Sequence, residues 1–289
     1  MEFTIEHTTT YVYPDTVTES YTVVHLQPHS DADQFCRRYE LDVTPRARVL
    51  SYVDRFGNMV QHFAILPTHE RLTVTARSNV TTTRTLETTG WRPLEAATRA
   101  RLDVDPQLDA LWDFVRESPY VHFSPHLAGF LDELPGPGDA IGMWCKGVCS
   151  HIHATFAYDK DATSVRTDVD TALLARAGVC QDFAHVMIAA VRSAGIPARY
   201  VSGYIFSGNS GDSMILGADA SHAWCEAYLP PYGWIGFDPT NDLVVNGHFV
   251  KVAIGRDYKD VSPVRGVYRG SAHAEMSVNV ALEDLQSNQ

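Results

Sequence analysis

Three residue types in order suggest a covalent mechanism. Cys180 stands in GVCQDFAH (residues 178–185), after a Gly-Val pair and at the start of what reads as a buried helix. Backbone N–H groups in a first helical turn lack intrahelical acceptors, and the helix dipole there favours negative charge. In that setting a thiol is drawn towards its thiolate. A nucleophilic cysteine also needs a base within hydrogen-bond reach and a third group to orient that base. In SHAWCEAYL, alternation puts His222, Trp224, Glu226 and Tyr228 on one strand face and Ala223, Cys225, Ala227 and Leu229 on the other. In GWIGFD, Trp234, Gly236 and Asp238 share a face. If the Pro-Pro-Tyr-Gly connection gives a hairpin with an odd loop, His222 and Asp238 fall on the same side. Three loop residues would set them directly opposite, about 4.5–5.5 Å apart at Cβ, and five would make them diagonal neighbours at about 7–8 Å.

Other residues near this set have plainer readings. Asp182 lies in the first turn of the Cys helix, where a carboxylate suits the dipole; it is carried as a site candidate that points away from the sulfur. Trp224 is placed either as a wall of the cleft or as packing, His185 as structural, and Cys225 as buried. The Cys180 backbone N–H is the natural first oxyanion donor, and Tyr158 in FAYD is the candidate for the second. The run Cys145, Cys149, His151 and His153 does not match common zinc spacings. Its cysteines, four apart on an apparent helix with Ile141, Trp144, Val148 and Ile152, read as core, so no metal and no cofactor are expected.

These residues need a helix and a sheet to hold them. The Cys helix carries Phe183, Ala184, Met187, Ile188, Val191 and Ala194 at helical spacing and stops at Gly195, with Pro197 beyond. A short helix is expected at about 168–176, capped by Asp168 or Asp170. Leu108, Leu111, Trp112 and Val115 suggest a further helix, and AIGMWCKGVCSHIHATFAYD (140–159) another. After Gly195 come strand-like segments, PARYVSGYIF, SHAWCEAYL, GWIGFDP, FVKVAIG and EMSVNVAL. Ahead of all this, roughly the first hundred residues are rich in Val, Thr, Tyr, Phe and Ile, often alternating, with a Gly57-Asn58 turn. The expected class is α+β: an antiparallel β-sandwich over residues 1–100, then a core over 101–289 with the Cys helix on an antiparallel sheet.

RAGVCQDFAHVMIAAVRSAGIPARYVSGY, ASHAWCEAYLPPYGWIGFDPTND and VSPVRGVYRG together resemble the bacterial transglutaminase-like proteins, a branch of the papain-type cysteine enzymes. The β-rich first hundred residues resemble the N-terminal domain that precedes their core. The resemblance implies a papain-like core, with Cys180 as nucleophile, His222 as base and then acid, and Asp238 as the orienting group. It implies an enzyme that opens amide bonds through an acyl-thioester, on a peptide or protein substrate. Nothing in the sequence marks a lysine-binding cleft, so hydrolysis is expected ahead of amine transfer. A cross-linking protein-glutamine acyltransferase and a non-catalytic binding scaffold are the alternatives.

The bulk composition narrows the partners. The formal net charge is -12 with no basic cluster, which argues against nucleic acid and anionic membranes. The five cysteines, an odd and scattered set, argue against a disulfide framework. The start alternates like a strand and lacks a secretory pattern, and no long apolar run is present, so a cytoplasmic protein is expected. Homo-oligomers are compatible with this reading.

Overall fold

Every second residue from Phe3 to Thr9 is buried, and after an interruption the alternation resumes at Ser20 with shifted parity, all within one very long strand, β1 (Glu2–Val24). The computed structural model describes residues 1–84, 91–162, 167–208, 215–217, 221–270 and 273–285. Four strands follow β1: β2 (Gln34–Thr44), β3 (Leu50–Val53), β4 (Met59–Ile65) and β5 (His69–Thr82). The helices are α1 (Trp91–Ala96), α2 (Arg99–Asp103), α3 (Pro125–Leu131), α4 (Ile141–Thr155), α5 (Val169–Ala175), α6 (Cys180–Ser193) and α7 (Tyr258–Val261). The remaining strands are β6 (Ala157–Tyr158), β7 (Ala177–Gly178), β8 (Ala198–Ile205), β9 (His222–Tyr228), β10 (Trp234–Asp238), β11 (Leu243–Val244), β12 (Phe249–Gly255), β13 (Val264–Arg269) and β14 (Glu275–Asp284).

The N-terminal sheet runs β2-β5-β1-β4-β3, with β13 and β14 also paired to β1. The first half of β1 lies between β5 and β14, and its second half lies between β4 and β13. The sheet therefore curls along β1 and faces itself across a core that includes Tyr13, Val17, Val24, Phe63 and Leu72. The expected sandwich is thus one curled antiparallel sheet. A cut near residue 100 does not follow the pairing at the far end of the chain. EMSVNVAL, read as part of the core sheet, pairs instead with β1 as β14. The physical reason is that β1 has two long edges, and an unpaired edge leaves backbone groups without partners.

The core sheet is antiparallel, in the order β11-β10-β9-β8-β12. Ala223, Cys225, Ala227 and Phe237 join Ala184, Met187, Ile188 and Val191 of α6 in one buried cluster. Small residues on β9 let the helix approach closely. The other face of the sheet packs Val201, Trp224, Val245, Phe249 and Ile254. Helices α3, α4 and α5 enclose α6, so even its Arg192 is buried; the guanidinium donates to the carbonyls of Ala198, Arg116 and Arg256. The expected helix around Leu108 is a 3-10 turn, Leu108–Phe114, with Trp112 58% exposed. Its ring stacks under the Arg116 guanidinium instead of entering the core.

The N-terminal sheet closes the outer edge of β12. Gln34 Nε2 donates to the Lys251 carbonyl, and Gln34 Oε1 accepts the Lys251 N–H. Asn58 treats Ile254 in the same way. Each amide side chain thus replaces a missing neighbour strand. A buried ion network reinforces the junction: Glu226 on β9 pairs with Arg199 and with Lys251, which also meets Asp31.

Candidate active site

Helix α6 begins where the short strand β7 ends. The preceding α5 starts at Asp168, whose carboxylate accepts the Thr171 N–H, and ends at Arg176 in the left-handed conformation. The chain then runs through β7, pairs in parallel with β6, and enters α6 at Cys180. Val179 is the extended N-cap, and a valine has no side-chain acceptor to offer. Asp182 supplies the missing group: its Oδ2 accepts the Val179 N–H at 2.8 Å. A Cβ on Gly178 would lie 2.6 Å from that Oδ2, so the turn closes on the carboxylate only with glycine there. This fixes the first turn and leaves Cys180 half-buried, the other helix-core residues being fully enclosed.

His222 opens β9 and Asp238 closes β10. The strands are joined by five residues, and Trp234 faces Tyr228 while Phe237 faces Cys225. Continuing that register sets Asp238 across from Trp224, which makes it the diagonal neighbour of His222. The side chains close the gap: His222 Nε2 meets Asp238 Oδ2 at 2.8 Å, with both side chains 0% exposed. Burial by itself would lower the imidazole pKa. Asp238 outweighs it, with a smaller contribution from the nearby Cys180 thiol, and raises the value from 6.5 to about 10. His222 Nδ1 makes no formed hydrogen bond among the described residues. The Cys180 thiol lies close enough to contribute to the raised pKa of the imidazole.

Asp238 is itself held. Its Oδ1 accepts the Thr240 N–H at 3.0 Å, and its Oδ2 accepts Asn241 Nδ2 at 2.8 Å. Asn241 also grips Leu216, accepting its N–H at 2.9 Å and donating to its carbonyl at 3.2 Å. The next residue, Gly217, has φ +86°, and a Cβ there would lie 2.6 Å from His222 Nδ1. Asn241 and Gly217 were not singled out in the sequence. The available signal was the polar DPTND run just past Asp238, and for Gly217 a lone glycine close before His222.

The other sequence candidates separate clearly. Tyr158 is in register with Gly178 and its ring meets Phe183 edge-on at 6.3 Å, so it stands beside the strand that leads into Cys180. Asp182 is 1% exposed and caps the helix, which is a positioning role and not a lining one. Trp224 is 1% exposed, with its ring 6.3 Å from His222 and 5.3 Å from Phe249. It backs the imidazole from inside the core, so its place as a cleft wall is not realised: the face of β9 opposite α6 is covered by Val201, Val245 and Phe249. His185 is structural as expected, with Nε2 accepting the Tyr258 N–H and its ring stacked on Tyr120. Burial and Arg192 lower its pKa to about 3. Cys145 and Cys149 are buried in the core. His151 bonds Glu133 and His153 the Thr240 carbonyl, so the four residues of that run do not converge.

A half-buried cysteine at a helix start, beside a buried histidine-aspartate pair on an antiparallel sheet, defines a papain-like cysteine-histidine-aspartate core. The comparisons place it more closely. The Transglutaminase-like superfamily model matches residues 144–239, and the Bacterial transglutaminase-like N-terminal region matches residues 3–81. The chain belongs to the bacterial transglutaminase-like proteins. An uncharacterized protein of Mycobacterium tuberculosis is 35% identical over 309 residues, covering 99% of this chain and 94% of that one. The solved structure of a candidate cysteine protease from Cytophaga hutchinsonii is 25% identical, with a TM-score of 0.76 over 98% of this chain and 91% of that one. A Pseudomonas aeruginosa protein-glutamine gamma-glutamyltransferase is 37% identical over 92 residues, 30% of this chain and 14% of its own.

Proposed function

We propose that this protein is a cysteine-nucleophile enzyme that opens amide bonds of a peptide or protein substrate through an acyl-thioester, with water as the usual acceptor. The observation that carries the reading is the buried 2.8 Å contact between His222 and Asp238. It keeps an imidazolium beside Cys180. Cys180 Sγ attacks the amide carbonyl and the oxygen becomes an oxyanion. The Cys180 N–H, at the first helical position and without an intrahelical acceptor, is set to stabilise it. His222 delivers its proton to the leaving amine, which departs as the C–N bond breaks. Water then attacks the thioester and gives one proton to His222; the C–S bond breaks, the acid departs, and the Cys180 thiolate and His222 imidazolium are restored. Hydrolysis comes first because water needs no acceptor subsite. Amine transfer is the second reading, favoured by the local likeness to the gamma-glutamyltransferase.

Intact-mass capture with a peptide and amide library tests this. An acyl adduct on wild type, absent from Cys180→Ala, is expected, with the acid as product. An amine-mass addition to the substrate would instead identify transfer. No adduct and no turnover across the library would overturn the enzyme reading.

A further inference from the structure

A groove runs over the outer face of the N-terminal sheet and into the junction with the core. Its upper part, about 630 Å³, is apolar and aromatic, lined by Tyr21, Leu50, Tyr52 and Ala64 among others. Tyr21 is 53% exposed and Tyr52 51%, so two aromatic rings of the lining are open to solvent. Tyr52 also lines the lower part, about 310 Å³, which lies against α7.

The charge of the groove is opposite to that of the molecule. Arg48, Arg55, Arg256, Lys259 and Arg265 line it, against the two carboxylates Asp54 and Asp260, in a chain of net charge -12. Both carboxylates are already engaged. Asp260 is bidentate to Arg256. Asp54 accepts the N–H groups of Phe56 and Asn58 and the Asn58 amide. Arg55 reaches Asp113. Among the described ion pairs none involves Arg48, Lys259 or Arg265, and all three are exposed. Arg265 Nη1 donates to the Lys259 carbonyl, but no carboxylate among the described residues offsets the three charges, and an apolar trough that opens onto such cations is complementary to an acidic segment flanked by apolar residues.

The groove also adjoins the catalytic helix. Lys259 follows Tyr258, whose N–H donates to His185 on α6. His185 is five residues after Cys180, about 7.5 Å along a helix. We infer that this groove docks an acidic, apolar-flanked segment of the polypeptide substrate, outside the reacting site; this rests on the proposed function for the word substrate. The concave shape favours a peptide over a lipid surface, which would meet the acidic remainder of the molecule.

The binding test is independent of chemistry. The full-length Cys180→Ala protein is titrated into a fluorescein-labelled Glu-Glu-Glu-Glu-Leu-Phe-Ala-Leu peptide and its lysine counterpart, followed by anisotropy. The glutamate peptide should bind at least about tenfold tighter and weaken as salt rises from about 50 to 300 mM. Lys259→Glu/Arg265→Glu should abolish that preference, and Tyr52→Ser should weaken binding at unchanged Tm. Equal binding of the two peptides, or binding untouched by the charge reversals, overturns the docking site. So does a preference for phosphatidylserine vesicles over the peptide. In wild type, adding the acidic tract to a cleaved amide should lower KM and leave kcat unchanged. Peptide binding without any turnover would refute the chemistry and leave the docking site standing.

Discussion

Replacing Gly217 with alanine tests whether the imidazole is clamped from above. The added Cβ would lie 2.6 Å from His222 Nδ1, about 0.8 Å inside the 3.4 Å of an ordinary contact. Neither side yields easily. His222 is fixed by Asp238 at 2.8 Å and backed by Trp224. The turn is fixed by two hydrogen bonds between Asn241 and Leu216, one in each direction. Alanine at φ +86° is strained as well, by about 1–2 kcal/mol. A displacement approaching 1 Å at a reacting group costs about 100-fold in rate, which is about 2.7 kcal/mol of barrier. The assay is kcat/KM on the amide found by mass capture, together with the rate of Cys180 alkylation by iodoacetamide. Both should fall, the first by about 100-fold, with far-UV circular dichroism unchanged. A Gly217→Ala enzyme within twofold of wild type in both measurements would show that the turn does not press on the imidazole.

Asp238→Asn removes the charge that raises His222, so burial should take over and move the imidazole pKa down from about 10. The alkaline limb of the rate profile, which marks loss of the imidazolium, should shift to lower pH, and turnover should fall far less than in Cys180→Ala; an unmoved limb refutes the role of Asp238. The same raised value means that the pair stabilises the fold fully below pH 6.5 and loses that contribution as pH climbs through about 10. With limiting iodoacetamide at pH 6, peptide mapping should find Cys180 labelled first and more slowly in His222→Ala. Burial pushes the thiol of Cys145 up to about 12, those of Cys149 and Cys225 well above 9, and that of Cys36 upward, so earlier labelling of any of them contradicts the site. Glu226→Gln should cost about 3–5 kcal/mol by chemical denaturation, because Arg199 loses its carboxylate and Lys251 keeps only Asp31. Burial alone would raise the Glu226 pKa, but Arg199 and Lys251 hold it well below the usual value. Its stabilisation is therefore present above about pH 4.5 and lost as pH falls further, and the variant should show a flatter acid limb.

The parts of this site that were legible in sequence are those set by local rules. The apolar spacing after Cys180 marked α6 and Gly195 its end. Alternation in SHAWCEAYL separated His222 from Cys225, and the odd, five-residue connection delivered Asp238 to the imidazole diagonally. Asp182 was visible as a first-turn carboxylate, but its function depends on Val179 having no acceptor, which only the folded turn reveals. Trp224 shared a face with His222 as expected, yet alternation cannot tell which face another layer will cover. Asn241 and Gly217 act on residues from a different segment, so no local period announces them. The return of β13 and β14 to β1 was equally hidden, because an edge strand reads the same whichever sheet accepts it.

The shared strand β1 also sets an order of events. It precedes the papain-like core in the chain, whereas the strands on one of its sides, β13 and β14, follow that core. The nascent N-terminal segment can pair with β4 and β5 early, but it must hold its other edge open for some two hundred residues. Contacts of such sequence separation form slowly, and open edges invite intermolecular pairing meanwhile. The segments that carry Cys180, His222 and Asp238 all precede β13 and β14, so the core can assemble before the N-terminal sheet closes.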